Sequence, residues 1–195
     1  MHRHPRTVML VAALFAGLAA MTAAAGCGPR DSASEREPLP APASPRILIE
    51  KGARRLTLFD GETPVRTYRV ALGSSSLGDK EREGDRRTPV GAFCVCVKNP
   101  DSRYHLSLGL SYPNEEDAER GLRVGLISGA ERDAIVAAVL AGRRPPWDTA
   151  LGGEIMIHGN GSARDWTWGC IALDDADIEE IYAAVVLGTP VEVRE

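Results

Sequence analysis

The stretch HGNGSARDWTWGC, residues 158–170, gathers side chains that can do covalent chemistry. It holds one of two histidines beyond residue 4, two of the three tryptophans and the last of four cysteines. A cysteine attacks only as thiolate, so a nucleophilic Cys170 needs a neighbour that takes its proton, and imidazole is the usual one. His158 closes the apolar run GEIMI, Gly159 lets the chain turn sharply behind it, and Gly169 lets backbone come close beside Cys170. The loop between them is long enough to return on itself, so the two side chains can meet. Backbone N–H groups at Gly169 and Cys170 can form an oxyanion hole for a substrate carbonyl. The same spacing also admits Cys170 as a packed small hydrophobe and His158 as a hydrogen-bonded strand-end residue. The segment alone leaves both readings open.

The remaining thiols and histidine favour no metal. Cys94 and Cys96 lie in AFCVCVK, which reads as a strand. Two residues apart on one face, they cannot bridge without distortion and are expected to be buried core residues. With Cys27 set aside, three thiols remain, so at least one stays free in an oxidising compartment. His105 is expected to be structurally satisfied. His105, His158 and three scattered thiols make a poor zinc set, and neither a metal nor another cofactor is expected.

The elements that must position this chemistry read as mainly β. ILIEKGARRLTLFDGETPVRTYRVALG alternates apolar and polar residues between turn signals at Gly52, Asp60-Gly61 and Gly73, the pattern of successive antiparallel strands. SSSLGDKEREGDRRTPVG reads as a polar loop with a solvated charged face, ending in the turn Thr88-Pro89-Val90-Gly91. YHLSLGLS alternates again. Ser128-Gly129-Ala130-Glu131 fits a capping box ahead of a helix through AIVAAVLA, stopped at Gly142. Asp174 is placed to cap a second helix whose stripe is Ile178, Ile181 and Val185, ended by Gly188 and Pro190. VEV forms a last strand. Two or three peripheral helices on a β core are expected.

The N-terminal part is of another kind. Residues 1–26 join a basic start, Arg3 and Arg6, to an uncharged apolar run and end in small residues before Cys27, as a lipoprotein-type export signal does. An uncleaved anchor or an ordinary cleaved signal are the alternatives, and each puts the chain outside the cytoplasm. Residues 27–45 carry five prolines and little apolar periodicity, the composition of a disordered tether. Residues 28–45 fully extended would reach roughly 60 Å. Residues 46–195 then suit one domain. With Arg3 and Arg6 removed, 21 basic residues face 27 acidic ones, a net charge of −6 with no basic stripe, which argues against nucleic acid as a partner. A monomer is expected.

The pair MIHG and TWGCIAL resembles the signature of the L,D-transpeptidase catalytic domain (YkuD-like) family: a strand ending in His-Gly, then Ser/Thr-x-Gly-Cys-hydrophobic. GDRRTPVGAF resembles the family's Thr-Pro-x-Gly-x-Phe/Tyr segment, the opening hairpins resemble its start, and NPDSRYHLSLGLSYPN resembles a segment of a proteobacterial branch. The resemblance spans nearly all of residues 46–195. It implies a β-sandwich-like fold with the site under a mobile flap, Cys170 as nucleophile, His158 as base and the Gly159 carbonyl as orienter of the imidazole. Thr167 and Gly169 match the loop leading into the nucleophile. The implied substrate is a peptidoglycan tetrapeptide stem. Cys170 attacks the amide after the L-centre of diaminopimelate, D-alanine leaves, and an amine resolves the thioester to give a crosslink or an anchored protein. Water in place of the amine gives a carboxypeptidase or amidase. The implied location is periplasmic, on a membrane through a lipid at Cys27.

Two departures stand out. Most members carry Arg two residues after the cysteine, where this chain has Ala172, and the His-to-Cys loop is short. A branch with Gly-Cys-hydrophobic-Ala includes members associated with releasing rather than forming crosslinks. Arg164 either replaces the missing charge or is a solvated surface residue. Of Trp166 and Trp168, one is expected in the core and one over the site, because strand neighbours point oppositely. NlpC/P60-type peptidases place cysteine before histidine, and sortases need a downstream catalytic arginine, so both fit less well. A non-catalytic wall-binding lipoprotein is the competitor from another class.

Overall fold

The computed structural model describes residues 37–195, so the expected export signal, Cys27 and most of the expected tether lie outside the described residues. Three antiparallel strands open the domain: β1 (Pro45–Glu50), β2 (Arg55–Asp60) and β3 (Thr63–Arg69). Their alternation turns Ile47, Ile49, Leu56 and Leu58 inward, all fully buried. Each such side chain contributes about 1.5–3 kcal/mol by leaving water. Leu39, ahead of β1, packs against the same core.

β4 (Gly91–Ser102) and β5 (His105–Leu110) follow, then the helices α1 (Glu115–Arg123) and α2 (Gly129–Leu140). β6 (Met156–His158), β7 (Ile171–Ala172), α3 (Asp175–Ala184) and β8 (Pro190–Arg194) complete the chain. All eight strands form one sheet in the order β3-β2-β1-β8-β4-β5-β6-β7. The long β4 serves two neighbours: Gly91–Cys94 pairs with β8, and its later residues pair with β5. The edges meet as well. Just beyond β3, Ala71 and Ala172 of β7 exchange both backbone hydrogen bonds at 2.8 Å, so the sheet curls back on itself around the core. Mainly β with three helices is the expected class.

Several local expectations are corrected. Cys94 and Cys96 are half-buried rather than core residues, because Phe93 and Val95 take the inward face of β4. Ser128 and Glu131 do form the capping box of α2. Asp174 stands at the N-cap of α3 but does not cap it; its carboxylate accepts instead from the Ser162 N–H at 2.9 Å and the Ser162 hydroxyl at 3.1 Å. The helix α1, not foreseen, turns Ala118, Gly121 and Leu122 inward and opens with its own capping box, Asn114 with Asp117. The charged loop 74–90 is more than a solvated face. Within it Lys80 is 3% exposed, paired at 2.8 Å with Asp85 and donating to the Arg82 carbonyl.

Candidate active site

β6 and β7 run parallel with Ile157 opposite Ile171 and His158 opposite Ala172. This register brings Cys170 level with Met156, one strand away from His158. The Cys170 sulfur accepts from the Met156 N–H at 3.4 Å, and its S–H faces the Glu154 carbonyl at 3.5 Å. His158 is buried, and its Nδ1 lies 2.7 Å from the Gly159 carbonyl. A carbonyl only accepts, so Nδ1 carries the proton and Nε2 keeps its lone pair. Both residues line one cleft of about 790 Å³.

The turn before Cys170 is built from backbone. Thr167 donates its hydroxyl to the Cys170 carbonyl at 2.7 Å and accepts the Gly169 N–H at 3.2 Å. Gly169 has φ +127°, and a Cβ there would come within 2.7 Å of the Arg87 carbonyl, so only glycine fits. The segment after β3 buttresses the turn: Ser74 N–H donates to the Thr167 carbonyl, and Trp166 and Thr167 N–H groups donate to the Leu72 carbonyl. Thr88, from the Thr-Pro-x-Gly segment, is fully buried and accepts the Gly73 N–H at 3.0 Å.

Burial shifts both titratable groups toward neutrality. It pushes the Cys170 thiol up, with Glu154 adding to the effect and the Met156 N–H and Lys80 opposing it. It pushes the His158 imidazole down, against the hydrogen bond to Gly159. The resting pair is therefore a thiol and a neutral imidazole.

The structure brings together Cys170, His158, Gly159, Thr167 and Gly169. Trp166 and Trp168 both line the cleft, and neither is in the core. Trp166 is half-buried, edge-on to His158 at 5.6 Å between centroids. Trp168 is 68% exposed beneath the Arg86 guanidinium at 4.5 Å. Strand alternation does not apply, because residues 159–170 form a turn-rich loop. Arg164 is exposed and lies away from the cleft lining, so it does not fill the place of the missing arginine. Of the Gly169 and Cys170 N–H groups, that of Gly169 is occupied by the Thr167 hydroxyl. His105 bonds Glu179 at 2.7 Å, the structural satisfaction expected of it.

Three residues at or beside the site carried no sequence signal of their own. Tyr104 stacks on His158 at 4.7 Å. Asp165 takes a bidentate ion pair from Arg54 and the Leu72 N–H, tying the loop to the sheet. Lys80 lines the cleft from the charged loop 74–90. The contacts that bring them to the site join segments far apart in sequence, so only the fold reveals them.

Residues 44–193 match the model of the YkuD family, the L,D-transpeptidase catalytic domain. The candidate L,D-transpeptidase YafK of Escherichia coli K12 is 27% identical over 154 residues, covering 74% of this chain and 50% of that protein. A single-residue mutant of the helical cell shape determining protein Pgp2 of Campylobacter jejuni superposes with a TM-score of 0.56 at 26% identity, covering 78% of this chain and 47% of that one. Bd1075 of Bdellovibrio bacteriovorus shares the fold with a TM-score of 0.50 at 19% identity, covering 77% of this chain and 47% of that one. The chain thus spans about half the length of these relatives.

Proposed function

This chain belongs to the L,D-transpeptidase catalytic domain family, and on that premise we propose that it is a cysteine acyltransferase acting on peptidoglycan tetrapeptide stems. Cys170 is the nucleophile and His158 the base. The observation that carries the reading is the His158–Gly159 hydrogen bond, which leaves an imidazole lone pair at Nε2 in the cleft that Cys170 lines.

The S–H turns from the Glu154 carbonyl toward Nε2 as the stem amide enters. Sulfur bonds to the carbonyl carbon, and the thiol proton passes to Nε2. The charge on the carbonyl oxygen is met by the Cys170 N–H. The amide C–N bond then breaks, the imidazolium proton goes to the leaving D-alanine amine, and a thioester remains on Cys170. An acceptor amine gives up a proton to His158, attacks the thioester and regenerates the thiol. Thr167 and Gly169 hold the turn, and Trp168 offers an exposed apolar wall to the substrate. No cofactor takes part.

Hydrolysis of the thioester is a second reading, favoured by Ala172. That residue is fully buried against Ala71, so no guanidinium stands beside His158 at that position. The chain is further proposed to be exported to the periplasm, lipidated at Cys27, carried on the 27–45 tether and monomeric. Incubation with a carbapenem followed by intact-mass analysis tests the nucleophile: one adduct is expected, absent in Cys170→Ala and at least ~100-fold slower in His158→Ala. An accessible, reduced thiol that never acylates would sink the proposal.

A further inference from the structure

We propose that Tyr104 and Trp166 form an aromatic clamp that positions the His158 imidazole, Tyr104 acting through both its ring and its backbone carbonyl. This rests on His158 being the base. The imidazole has one directional hydrogen bond, Nδ1 to the Gly159 carbonyl, where many catalytic histidines are held by a carboxylate. A ring held at one atom can still pivot, so something must fix its plane.

The Tyr104 ring lies over the imidazole, with centroids 4.7 Å apart and planes 28° from parallel. Trp166 meets the same ring edge-on at 5.6 Å and 71°, and meets Tyr104 at 5.8 Å and 60°. The three rings form one cluster, in which stacked and edge-to-face contacts add to the attraction that the buried area alone supplies. The backbone adds a second restraint. The Tyr104 carbonyl accepts the Gly159 N–H at 3.0 Å, while the carbonyl of Gly159 holds Nδ1. Tyr104 thus grips both the imidazole and the residue that orients it.

The clamp is itself anchored. Tyr104 sits in the tight turn between β4 and β5, its N–H bonded to the Ser102 hydroxyl at 3.1 Å. The next residue, His105, adopts φ +73° and is held by Glu179 of α3. Trp166 donates its indole N–H to the Gly161 carbonyl at 3.1 Å, and the neighbouring Asp165 is locked to Arg54. The approach at Gly159 is close: a Cβ there would lie 2.9 Å from the Tyr104 carbonyl and 3.1 Å from the His105 Cβ.

Both rings also line the cleft, so a pure substrate contact is the competing role. The two roles separate in the pH dependence of carbapenem acylation of the full chain, measured at saturating and limiting carbapenem. With Tyr104→Leu the saturating rate should fall ~10-fold or more, as misplaced catalytic groups do. Its acid limb should move up toward the ordinary imidazole value of 6.5, with carbapenem affinity little changed. Tyr104→Phe, which keeps the ring and backbone, should behave as wild type. A Tyr104→Leu protein that loses only affinity, or keeps both rate and acid limb, overturns the clamp. NMR of the His158 ring protons gives a readout independent of acylation. They should be shifted upfield in the wild type by the stacked ring, and should relax downfield in Tyr104→Leu. If the wild type never acylates, the functional reading fails while this signal still decides the clamp. If Tyr104→Leu does not fold, an unshifted His158 ring in the wild type overturns it.

Discussion

At Cys170 and His158 the same burial acts in opposite senses on acid and base. Burial favours the protonated thiol and the neutral imidazole, and in the proposed reaction the proton moves as sulfur attacks. As the proposed base, His158 is lost when it takes a proton, and its folded value lies below the ordinary 6.5. The acid limb of Cys170 acylation should therefore lie below pH 6.5; a wild-type limb at or above that value contradicts it. The sign for stability follows. Unfolded chains bind this proton from the ordinary value downward while the folded ring resists it, so this contribution to stability falls as pH drops below 6.5. Ala172 supplies a second expectation. Its methyl is fully enclosed where it bridges Ala71, so Ala172→Arg should cost ~1–3 kcal/mol or more in urea unfolding and leave acylation no faster. At this scale the geometry of Cys170, His158 and Gly159 follows the motif. The split foreseen for the tryptophans, one in the core and one over the site, fails only for Trp166, because alternation describes strands and both residues lie in a loop that lines the cleft; Arg164 takes the solvated alternative.

Among the elements, the strap from Ser74 to Val90 does most to shape the cleft wall. Desolvation pushes the Asp85 carboxyl up, but Lys80 and the N–H groups of Arg87, Glu81 and Arg82 outweigh it and hold the group below the usual carboxylate range. A depressed value stabilises the fold above the unfolded value of 3.8, and that share is lost as pH falls through the folded one. The Lys80 side chain is 3% exposed and that of Asp85 11%, so Lys80→Met leaves a buried charge unpaired. It should cost ~3–5 kcal/mol of unfolding free energy at neutral pH, measured in urea. A loss under ~1 kcal/mol would mean that the pair behaves as an exposed surface bridge. Composition hid this element. Mixed charges at short spacing describe a solvated loop as well as a folded strap, and Arg120 of α1, which bonds Asp79 and the Lys80 carbonyl, is distant in sequence. By contrast, the β1–β2–β3 hairpins and the capping box of α2 rest on neighbours a few residues apart, and these were legible.

For the whole molecule, closure of the sheet and construction of the site are one event. The bridge between Ala71 and Ala172 and the contact of Gly73 with Thr167 join the strap side of the sheet to the turn that carries Cys170. No local pattern predicts that meeting of edges, since it depends on the order of all eight strands. The domain alone spans about half of YafK and of Pgp2, so the acceptor is the least constrained part of the reaction. The proposed acyl-enzyme step draws only on residues of this domain. Digestion of purified peptidoglycan by the full chain, with products identified by mass spectrometry, tests that step most directly. The account predicts that the wild type converts tetrapeptide stems to tripeptide stems or to new crosslinked dimers with release of D-alanine, and that Cys170→Ala does neither. Unchanged stems with the wild type, or the same products from Cys170→Ala, would contradict it.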